Sequence, residues 1–376
     1  MQSQKDRRQI GVFFVDPMSY HNLAVYDCEL LSNIDNNIDI CYYANDRFNL
    51  SMPDTDIKKI YRYSQKKGLF KIISYLKSQI ILLRDIKEKR PDIVHFQWLK
   101  YPPVDYWFLV YIKRYSGIVY TSHDVFTHGD ERKYRASLIK ILKIVDQVIV
   151  HTTAGKQELA TFVDQGRIEV IRHGLLDLAR FFQTEPEQLK EKLKIGNEVV
   201  FSALGTMDYY KGTDLLVEAW QSSPVLRQSP KVKLIIAGKN KMRLKKAAIP
   251  AANVIFIDGD LSDEEFSALL QLSDLVLLPY RRISQSGLLL SAIAAEKKLL
   301  ISTAFPEPSK YGAIGWVLRQ VDAAGLRTLL ERIHECLAEE TAPVDQATWR
   351  QIKAEYDWAG SGAQTSRLYR RVAQKQ

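Results

Sequence analysis

Short runs of β-branched and other apolar residues alternate along the chain with stretches of helical periodicity, and this alternation restricts the folds open to it. Apolar strands separated by helices are typical of parallel sheets built from βαβ units. We predict six strands in each half: near residues 10–15, 38–43, 92–97, 118–122, 147–151 and 168–172, and near residues 198–204, 233–237, 253–257, 274–279, 298–302 and 315–318. The pattern indicates two doubly wound α/β domains.

A chain of 376 residues is too long for one hydrophobic core. The first series of strands and helices ends near His173 and Gly174, so we place the first domain at residues 1–172 and the second at 173–357. Two such Rossmann-like domains are expected to face each other across a cleft. Its walls would be the carboxyl ends of the strands, where open α/β sheets bind ligands.

The cysteines and the apolar segments bear on where the protein resides. Cys28, Cys41 and Cys336 are far apart and have no CxxC spacing, which argues against a disulfide framework or a structural zinc site. Three isolated cysteines fit a reducing compartment. No apolar window reaches the 18 residues that a membrane-spanning helix needs. We therefore expect a cytoplasmic protein.

The net charge of +9 is concentrated in residues 56–90, which hold eleven basic and three acidic residues. Within this segment apolar residues recur at helical spacing: Leu69, Phe70, Ile72, Ile73, Leu76, Ile80 and Leu83. One interpretation is a helix that turns these residues to the core and its basic side to solvent. The other is a basic face that rests on anionic lipid at the inner face of the plasma membrane. Nucleic acid is disfavoured, because neither an RNA-binding motif nor a zinc finger is present.

Two strand-to-helix turns in the second half contain small residues where a ligand could approach the backbone. Gly205, Lys211 and Gly212 follow one predicted strand, and the serine-rich turn 284–287 follows another. Lysine and the N–H groups of a helix N-terminus both attract phosphate oxygens. The segments 235–239 and 256–259 end strands on the same rim. The sequence thus predicts a site for a nucleoside diphosphate.

In their order along the chain these motifs resemble the nucleotide-sugar half of GT-B glycosyltransferases, with glycosyltransferase family four and its relatives as the most similar group. The motifs are Gly205 with Lys211-Gly212, IIAGK at 235–239, DLVLLPY at 274–280, and Ser286-Gly287. The first half is similar to bacterial polysaccharide glycosyltransferases, through DIVHFQW at 92–98, YTSHDV at 120–125 and DQVIVH at 146–151. Tyr356-Asp357-Trp358 and the residues after it, about 358–376, resemble a C-terminal helix that packs back on the first domain.

The resemblance implies roles for individual residues. Lys211 and the backbone of Ser286, Gly287 and Leu288 would hold the diphosphate. His123 would face the transferred sugar, and residues 11–21, with Tyr20 and His21, would line the acceptor side together with His128. The remaining nucleotide contacts would come from Gly205, Gly238, Lys239, Ile257, Asp258 and Leu261. The expected donor is a UDP-sugar or a GDP-sugar.

The chain departs from the family pattern at several positions. Thr206 stands where an arginine is common, and Arg281 or Arg282 is a candidate replacement. Many retaining members carry two glutamates separated by seven residues. Here Ile283 and Ser291 occupy those positions, and Glu296 stands where glycine is usual.

For catalysis, His123 and Asp124 follow a first-domain strand and are our first candidates for a base. Asp16 and His21, after the first strand, form a second candidate pair. No DxD turn follows a first-domain strand, and Lys211 with a helix dipole can offset the leaving-group charge, so we expect no cofactor and no metal requirement.

Three functions stay open. The leading one is a glycosyltransferase that extends a saccharide or lipid-linked saccharide acceptor in surface polysaccharide synthesis. A nucleotide-sugar epimerase of the same fold and an inactive sugar-nucleotide-binding partner are the alternatives. An oxidoreductase is disfavoured because no GxGxxG follows the first strand.

Overall fold

The computed structural model describes residues 9–123, 131–244, 252–283, 285–336 and 344–375. It divides into two compact units. Unit 1 comprises Met1–Gly174 and Tyr356–Gln376, and unit 2 comprises Leu175–Glu355. The first division thus falls two residues from the boundary that the sequence suggests, and the last helix is grouped with unit 1.

Unit 1 contains a sheet of seven parallel strands in the order β3-β2-β1-β4-β5-β6-β7. The order reverses direction between β1 and β4, so the loops after these two strands lie at a topological switch point, where doubly wound sheets bind ligands. The strands are β1 (Ile10–Val15), β2 (Ile38–Asn45), β3 (Asp56–Tyr61), β4 (Ile93–Phe96), β5 (Gly117–Thr121), β6 (Gln147–Val150) and β7 (Ile168–Val170).

Five helices connect these strands: α1 (Asn22–Leu31), α2 (Gly68–Lys89), α3 (Pro102–Ile112), α4 (Glu131–Ile144) and α5 (Thr153–Leu159). The core between helices and sheet includes Val94, Ile118 and Val148, all fully buried. Residues 11–15, which the sequence analysis assigns to the acceptor-side loop, belong to β1. The loop itself covers only residues 16–21.

Strand β3 was not predicted from the sequence. Its residues Asp56–Tyr61 are exposed or half-buried except for Tyr61, and three of the six are charged. β3 is the edge strand of the sheet and pairs only with β2 among the described strands. Charged side chains are common on edge strands because they prevent further pairing. The charge obscured the strand in a segment that otherwise indicates a helix.

Unit 2 contains a sheet of six parallel strands in the order β10-β9-β8-β11-β12-β13, with its switch point between β8 and β11. All six strands were predicted from the sequence. They are β8 (Val199–Leu204), β9 (Val232–Gly238), β10 (Val254–Asp258), β11 (Leu275–Leu278), β12 (Lys298–Ser302) and β13 (Gly315–Leu318).

The helices of unit 2 surround a core that includes Phe201, Ile236 and Leu277. They are α6 (Leu178–Phe181), α7 (Pro186–Lys192), α8 (Thr213–Gln221), α9 (Pro224–Gln228), α10 (Asp263–Leu272), α11 (Gly287–Ala294), α12 (Ala323–Glu335) and α13 (Gln346–Lys353). In both units, helices alternate along the chain with the strands of a parallel sheet. This arrangement confirms the doubly wound α/β class.

The last helix, α14 (Trp358–Ala373), packs on α1 and on strands β1 and β4 of unit 1. Asp357 caps its N-terminus by accepting hydrogen bonds from the N–H groups of Ala359 and Gly360. Gly362 lies against Asn33, where a Cβ atom would come within 2.0 Å of the Asn33 carbonyl oxygen. A small residue at this position lets the two helices approach closely.

Helix α2 does not bury the residues that the core-facing interpretation assigned to it. Leu69 and Phe70 are 68% and 75% exposed, and Ile80 is 60% exposed. The residues it buries are Tyr75, Ser78, Gln79, Leu82 and Ile86.

The reason is a polar contact beneath the helix. Tyr75 Oη and Gln79 Nε2 donate hydrogen bonds to Asp105 of α3, at 2.6 and 3.1 Å. The buried side of α2 combines these polar residues with Leu82 and Ile86 of the core. The core-facing interpretation is therefore wrong for the exposed residues Leu69, Phe70, Ile72, Ile73 and Ile80. None of the described helices combines the length and the apolar character required to cross a bilayer.

Candidate functional site

In unit 2 the turns after β8 and β9 are in direct backbone contact. The Gly205 N–H donates to Ala237 O at 2.8 Å, and the Met207 N–H donates to Lys239 O at 2.9 Å. Gly238 has φ 141°, and a Cβ atom there would lie 2.1 Å from the Gly205 carbonyl oxygen. Any larger residue at 238 would push the two turns apart.

The turn that carries Lys211 is held by Arg281, which follows β11. The Arg281 guanidinium makes two hydrogen bonds of 2.7 Å to the Asp214 carboxylate and one of 2.6 Å to Tyr209 O. It also lies over the Tyr209 ring, 3.9 Å from the centroid. Arg281 is therefore engaged in fixing the Tyr209–Lys211 turn, which does not favour it as the replacement for an arginine at Thr206.

The Lys211 ammonium lies in a partly desolvated position beside Tyr280. Its Nζ atom is 5.7 Å from the centroid of the Tyr280 ring and 3.2 Å from where a Cβ of Gly205 would lie. Burial lowers the pKa of Lys211. No carboxylate in the described ranges forms a salt bridge with Lys211. A half-buried cation without a carboxylate partner is suited to an anionic ligand.

The N-terminus of α11 also contacts Tyr280. Ser286 caps this helix, since its Oγ accepts a hydrogen bond from the Leu289 N–H at 3.2 Å. The Ser286 side chain also forms a hydrogen bond with the buried Tyr280. The helix itself offers no acceptor to the N–H groups of Gly287 and Leu288. We call Gly205, Lys211, Tyr280 and residues 286–288 the phosphate cradle.

The other predicted nucleotide contacts lie at the carboxyl ends of β9 and β10, next to β8. Ile257 and Leu261 are half-buried. The Asp258 carboxylate accepts hydrogen bonds from the backbone and side-chain nitrogens of Asn240, at 3.2 and 3.3 Å. Lys239 forms an exposed salt bridge with Asp260 at 3.4 Å. The structure therefore places these four residues on the rim of the cradle, and Asp258 holds a loop there.

The two positions at which many family members carry glutamate have different surroundings. Ile283 is half-buried. Ser291, in α11, is fully buried, and its Oγ has no hydrogen-bond partner in the part of the chain that the structure describes. It lines a cavity of about 360 Å³ together with Ser267, Gln271 and Lys297. Neither position supplies a carboxylate.

In unit 1 the loop of residues 16–21 follows β1 at the switch point. Tyr20 and His21 contact each other edge to face at 5.2 Å. Arg47 lies 4.6 Å above the Tyr20 ring, and its Nη2 is 3.2 Å from His21 Nε2. Asp16 is fully buried, and its Oδ1 accepts a hydrogen bond from the Met18 N–H at 2.6 Å. Tyr20 and His21 form a partly exposed cluster, whereas Asp16 supports the loop from beneath.

His123 is the centre of a hydrogen-bonded chain. Its Nδ1 is 3.2 Å from His151 Nε2, and its Nε2 is 2.9 Å from the Gln97 side chain. Gln97 continues to His95 at 3.2 Å, and His95 Nδ1 lies 2.5 Å from Tyr369 Oη of α14.

The contacts of His151 and His123 determine which of their ring nitrogens carry a proton. His151 Nδ1 donates to Ile171 O at 2.8 Å, which leaves its Nε2 to accept from His123 Nδ1. Burial lowers the pKa of His123 well below its usual value and that of His151 to about 4, so both rings are neutral at neutral pH. A neutral His123 that donates at Nδ1 must accept at Nε2. The Gln97 atom 2.9 Å away is Oε1, so this assignment requires the Gln97 amide to be turned over so that its nitrogen donates there. Both ring nitrogens of His123 are thus occupied, which favours a positioning role over proton transfer.

Aromatic rings enclose the same histidines. Trp98 stacks on His123 at 4.7 Å with an interplanar angle of 4°. Tyr26 contacts His123, His151 and His173 at 4.8, 5.6 and 4.7 Å. The candidates Asp124 and His128 lie outside the described residues.

Several residues that form these sites were not predicted from the sequence as site residues. In unit 1 they are Tyr26, Gln97 and His151, and in unit 2 it is Tyr280. The available signal was position: His95 and Gln97 lie at the end of β4, and His151 directly follows β6. Carboxyl ends of neighbouring parallel strands meet at one edge of a sheet, so polar residues there can be grouped before a structure is known.

Comparison with protein-family models gives two matches. The model for glycosyl transferases group 1 matches residues 198–339, and that for glycosyltransferase family 4 matches residues 49–176. A search of curated protein sequences found no match.

Solved structures similar to this chain cover nearly its full length. Sucrose-phosphate synthase from Thermosynechococcus elongatus has a TM-score of 0.69 at 14% identity, covering 98% of this chain and 100% of that one. WaaG, a glycosyltransferase involved in lipopolysaccharide biosynthesis, has a TM-score of 0.68 at 15% identity, with 96% and 99% covered. HepE from Anabaena, in complex with UDP and glucose, has a TM-score of 0.67 at 14% identity, with 96% and 99% covered. These likenesses establish the fold. The first half of the chain thus matches the glycosyltransferase family 4 model, the second half matches the model for glycosyl transferases group 1, and both units have the fold of the GT-B glycosyltransferases.

Proposed function

We propose that this glycosyltransferase moves a sugar from a UDP-sugar or GDP-sugar to a hydroxyl group of a saccharide or lipid-linked saccharide in surface polysaccharide synthesis. The observation that carries the proposal is the phosphate cradle, in which the half-buried Lys211 and the N-terminus of α11 flank Tyr280. HepE, of the same fold, is described in complex with UDP and glucose, which supports UDP as one donor nucleotide.

The cradle would stabilise the departing nucleoside diphosphate. As the sugar–phosphate bond breaks, negative charge grows on the β-phosphate oxygens. One ammonium and the N–H groups of a helix N-terminus, held in place before the reaction, stabilise such charge without reorganisation. We propose that Lys211 and residues 287–288 do so without a metal ion. Turnover that persists in excess EDTA would support this proposal, and turnover restored only by a divalent cation would refute it.

Donor binding is tested by thermal shift. A ligand that binds only the folded state increases the free energy of unfolding, by about 2.7 kcal/mol when its concentration is a hundred times Kd. The unfolding midpoint rises as a result. We expect UDP, GDP or one of their sugars to raise the unfolding midpoint of the wild type. Lys211→Ala should raise the Kd of that ligand at least tenfold. Lys192→Ala, an exposed lysine of α7, is the matched control and should bind like wild type. Equal affinity in both variants would remove the phosphate assignment.

We further propose that α2 binds anionic membrane surfaces, where a lipid-linked acceptor would reside. Leu69, Phe70, Ile73 and Ile80 are exposed on this helix, and Trp107 of α3 is 70% exposed. Lys66, Lys67, Lys71 and Lys77 lie within or just before it. Apolar side chains that enter the headgroup region, flanked by lysines that meet anionic lipid, are typical of interfacial helices.

Vesicle flotation tests this second proposal. Changing Lys66, Lys67 and Lys71 to glutamate should abolish flotation with vesicles that contain phosphatidylglycerol, and Phe70→Ser should reduce it without changing the unfolding midpoint. The control variant changes Lys190, Lys192 and Arg350 of unit 2 to glutamate, which alters the net charge equally. If all variants float alike, α2 is only a solvated face.

The non-acidic Ile283 and Ser291 favour a second candidate, a sugar-nucleotide-binding protein without turnover. An assay of nucleotide release with crude membranes as acceptor separates the two, because a pure binder retains its donor. An epimerase, in contrast, would convert the donor without any acceptor.

A further inference from the structure

Two carboxyl groups of unit 1 are buried against each other beneath the loop of residues 16–21. Asp16 follows β1 and Asp27 lies in α1, and both are fully buried. One oxygen of each is satisfied: Asp16 Oδ1 by the Met18 N–H at 2.6 Å, and Asp27 Oδ2 by the Tyr42 hydroxyl at 2.5 Å. The other two, Asp16 Oδ2 and Asp27 Oδ1, have no donor in the described part of the chain.

Each carboxyl group therefore has one oxygen that still needs a donor. The two side chains are within hydrogen-bond reach, which two ionised carboxylates cannot use because neither has a donor. A proton on one carboxyl would supply the donor and would remove one of two like charges from a fully buried site. Burial raises the pKa of both groups, and the Asp16 charge raises that of Asp27 further.

The groups that face the pair do not offer an alternative. They come from the loop, α1, β2, β3 and α14, and every one is a phenol or a thiol whose pKa is raised by burial: Tyr20, Tyr26, Cys28, Tyr42, Tyr61, Tyr63 and Tyr369. All are neutral at neutral pH. Arg47 lies over the Tyr20 ring, and no cation in the described ranges forms a salt bridge with Asp16 or Asp27 that would compensate a second negative charge.

The loop above the pair depends on it. Pro17 O accepts hydrogen bonds from Asn45 Nδ2 and Tyr63 Oη, at 2.8 and 2.7 Å, and Ser19 Oγ accepts one from the Asn45 N–H at 2.7 Å. Asp16 completes this set through Met18. We propose that Asp27 is a positioning residue: it donates a proton in a hydrogen bond to Asp16, and this acid–carboxylate pair holds residues 16–21 in the conformation that receives the acceptor. The statement that residues 16–21 receive an acceptor rests on the proposed function, whereas the proton on Asp27 does not depend on it.

The proton is tested by comparing the wild type with Asp27→Asn, whose amide donates to Asp16 and accepts from Tyr42 as a neutral acid does. In the wild type the folded state keeps a proton that the unfolded state releases above about pH 4. From pH 5 to 8 the unfolding equilibrium constant of the wild type should therefore rise relative to that of the variant, by up to about tenfold per pH unit. A ratio that does not change with pH would show that Asp27 is ionised and would overturn the proposal.

The positioning role is tested by kinetics and donor binding. Asp27→Asn should leave the acceptor KM within about twofold of wild type, whereas Asp27→Leu should raise it at least tenfold while the midpoint shift produced by UDP stays the same. If Asp27→Leu does not fold, Tyr42→Phe, which frees Asp27 Oδ2, should raise the acceptor KM several-fold. An unchanged KM in the folded variants overturns the positioning role. A wild type that transfers no sugar would instead count against the proposed function, and the pH ratio would still decide the proton.

Discussion

Contacts of single residues explain why glycine stands where the two turns of unit 2 meet. At Gly238 both the positive φ of 141° and the Gly205 carbonyl oxygen exclude a Cβ atom. At Gly259, one strand further on, a Cβ atom would meet nothing within 4 Å. Two glycines at neighbouring strand ends thus differ in what a methyl group would cost.

We expect Gly238→Ala to destabilise unit 2 by about 1–3 kcal/mol or more and to weaken nucleotide binding, because the Gly205 turn must move. Gly259→Ala should change stability by less than about 0.5 kcal/mol. Denaturant unfolding and the UDP thermal shift of both variants measure the difference. Equal stability would mean that the turns separate at no cost.

Candidate binding residues could be named from the local sequence, whereas residues that act through distant partners could not. Gly205, Lys211 and Ser286 follow strands, and their position and residue type make them candidates. Arg281 reaches Asp214, 67 positions earlier in the chain, and nothing local to either residue indicates the pair. Asp27 stands close to Glu29 in an otherwise largely apolar helix, and its partner Asp16 is known only once β1 and α1 are packed together.

At the scale of elements, α2 shows where hydrophobic periodicity misleads. The apolar residues recur at helical spacing, but the buried side carries Tyr75, Ser78 and Gln79, of which Tyr75 and Gln79 donate to Asp105, together with Leu82 and Ile86. Periodicity locates the helix and leaves open which side faces the core when that core contains a polar group. In unit 2, by contrast, strands β9, β11 and β12 are buried almost throughout, and all six strands were predicted.

The same network makes the α2–α3 contact sensitive to pH. Burial raises the pKa of Asp105 to about 7, above that of the unfolded chain, so its contribution to stability is complete below about pH 4 and is lost as pH rises towards 7. Asp105→Asn removes this titration. We expect the wild type to lose roughly 1–3 kcal/mol relative to the variant between pH 5 and 8. The free energy of unfolding of unit 1, measured for the wild type and the variant at pH 5 and pH 8, checks this prediction. An equal change with pH in the two proteins would contradict it.

The end of α11 explains the departure from glycine at position 296. Glu296 has φ 53°, and the hydrogen bonds Glu296 N–H to Ile293 O and Lys297 N–H to Ala292 O form a Schellman motif. Glycine fits this position without strain. Here the Glu296 carboxylate binds Lys353 at 2.7 Å and Gln346 at 3.1 Å, which ties α11 to α13 and offsets the backbone strain.

For the whole molecule, the two units have separate sheets and separate cores. We expect calorimetry to resolve two unfolding transitions, of which a bound nucleoside diphosphate raises only that of unit 2. Gly362→Val should lower only the other transition, because its side chain meets Asn33 in unit 1. A single transition that moves as one in both experiments would show that the units unfold together.

The placement of α14 has a consequence for how the protein is made. Tyr369 Oη, the partner of His95, and Gly362, against which α1 packs, are synthesised after every strand of both units. Unit 2 can therefore finish folding during translation although its synthesis starts later. The first-made sheet waits for α14, and a nascent chain that stops before this helix would leave the α1 surface uncovered.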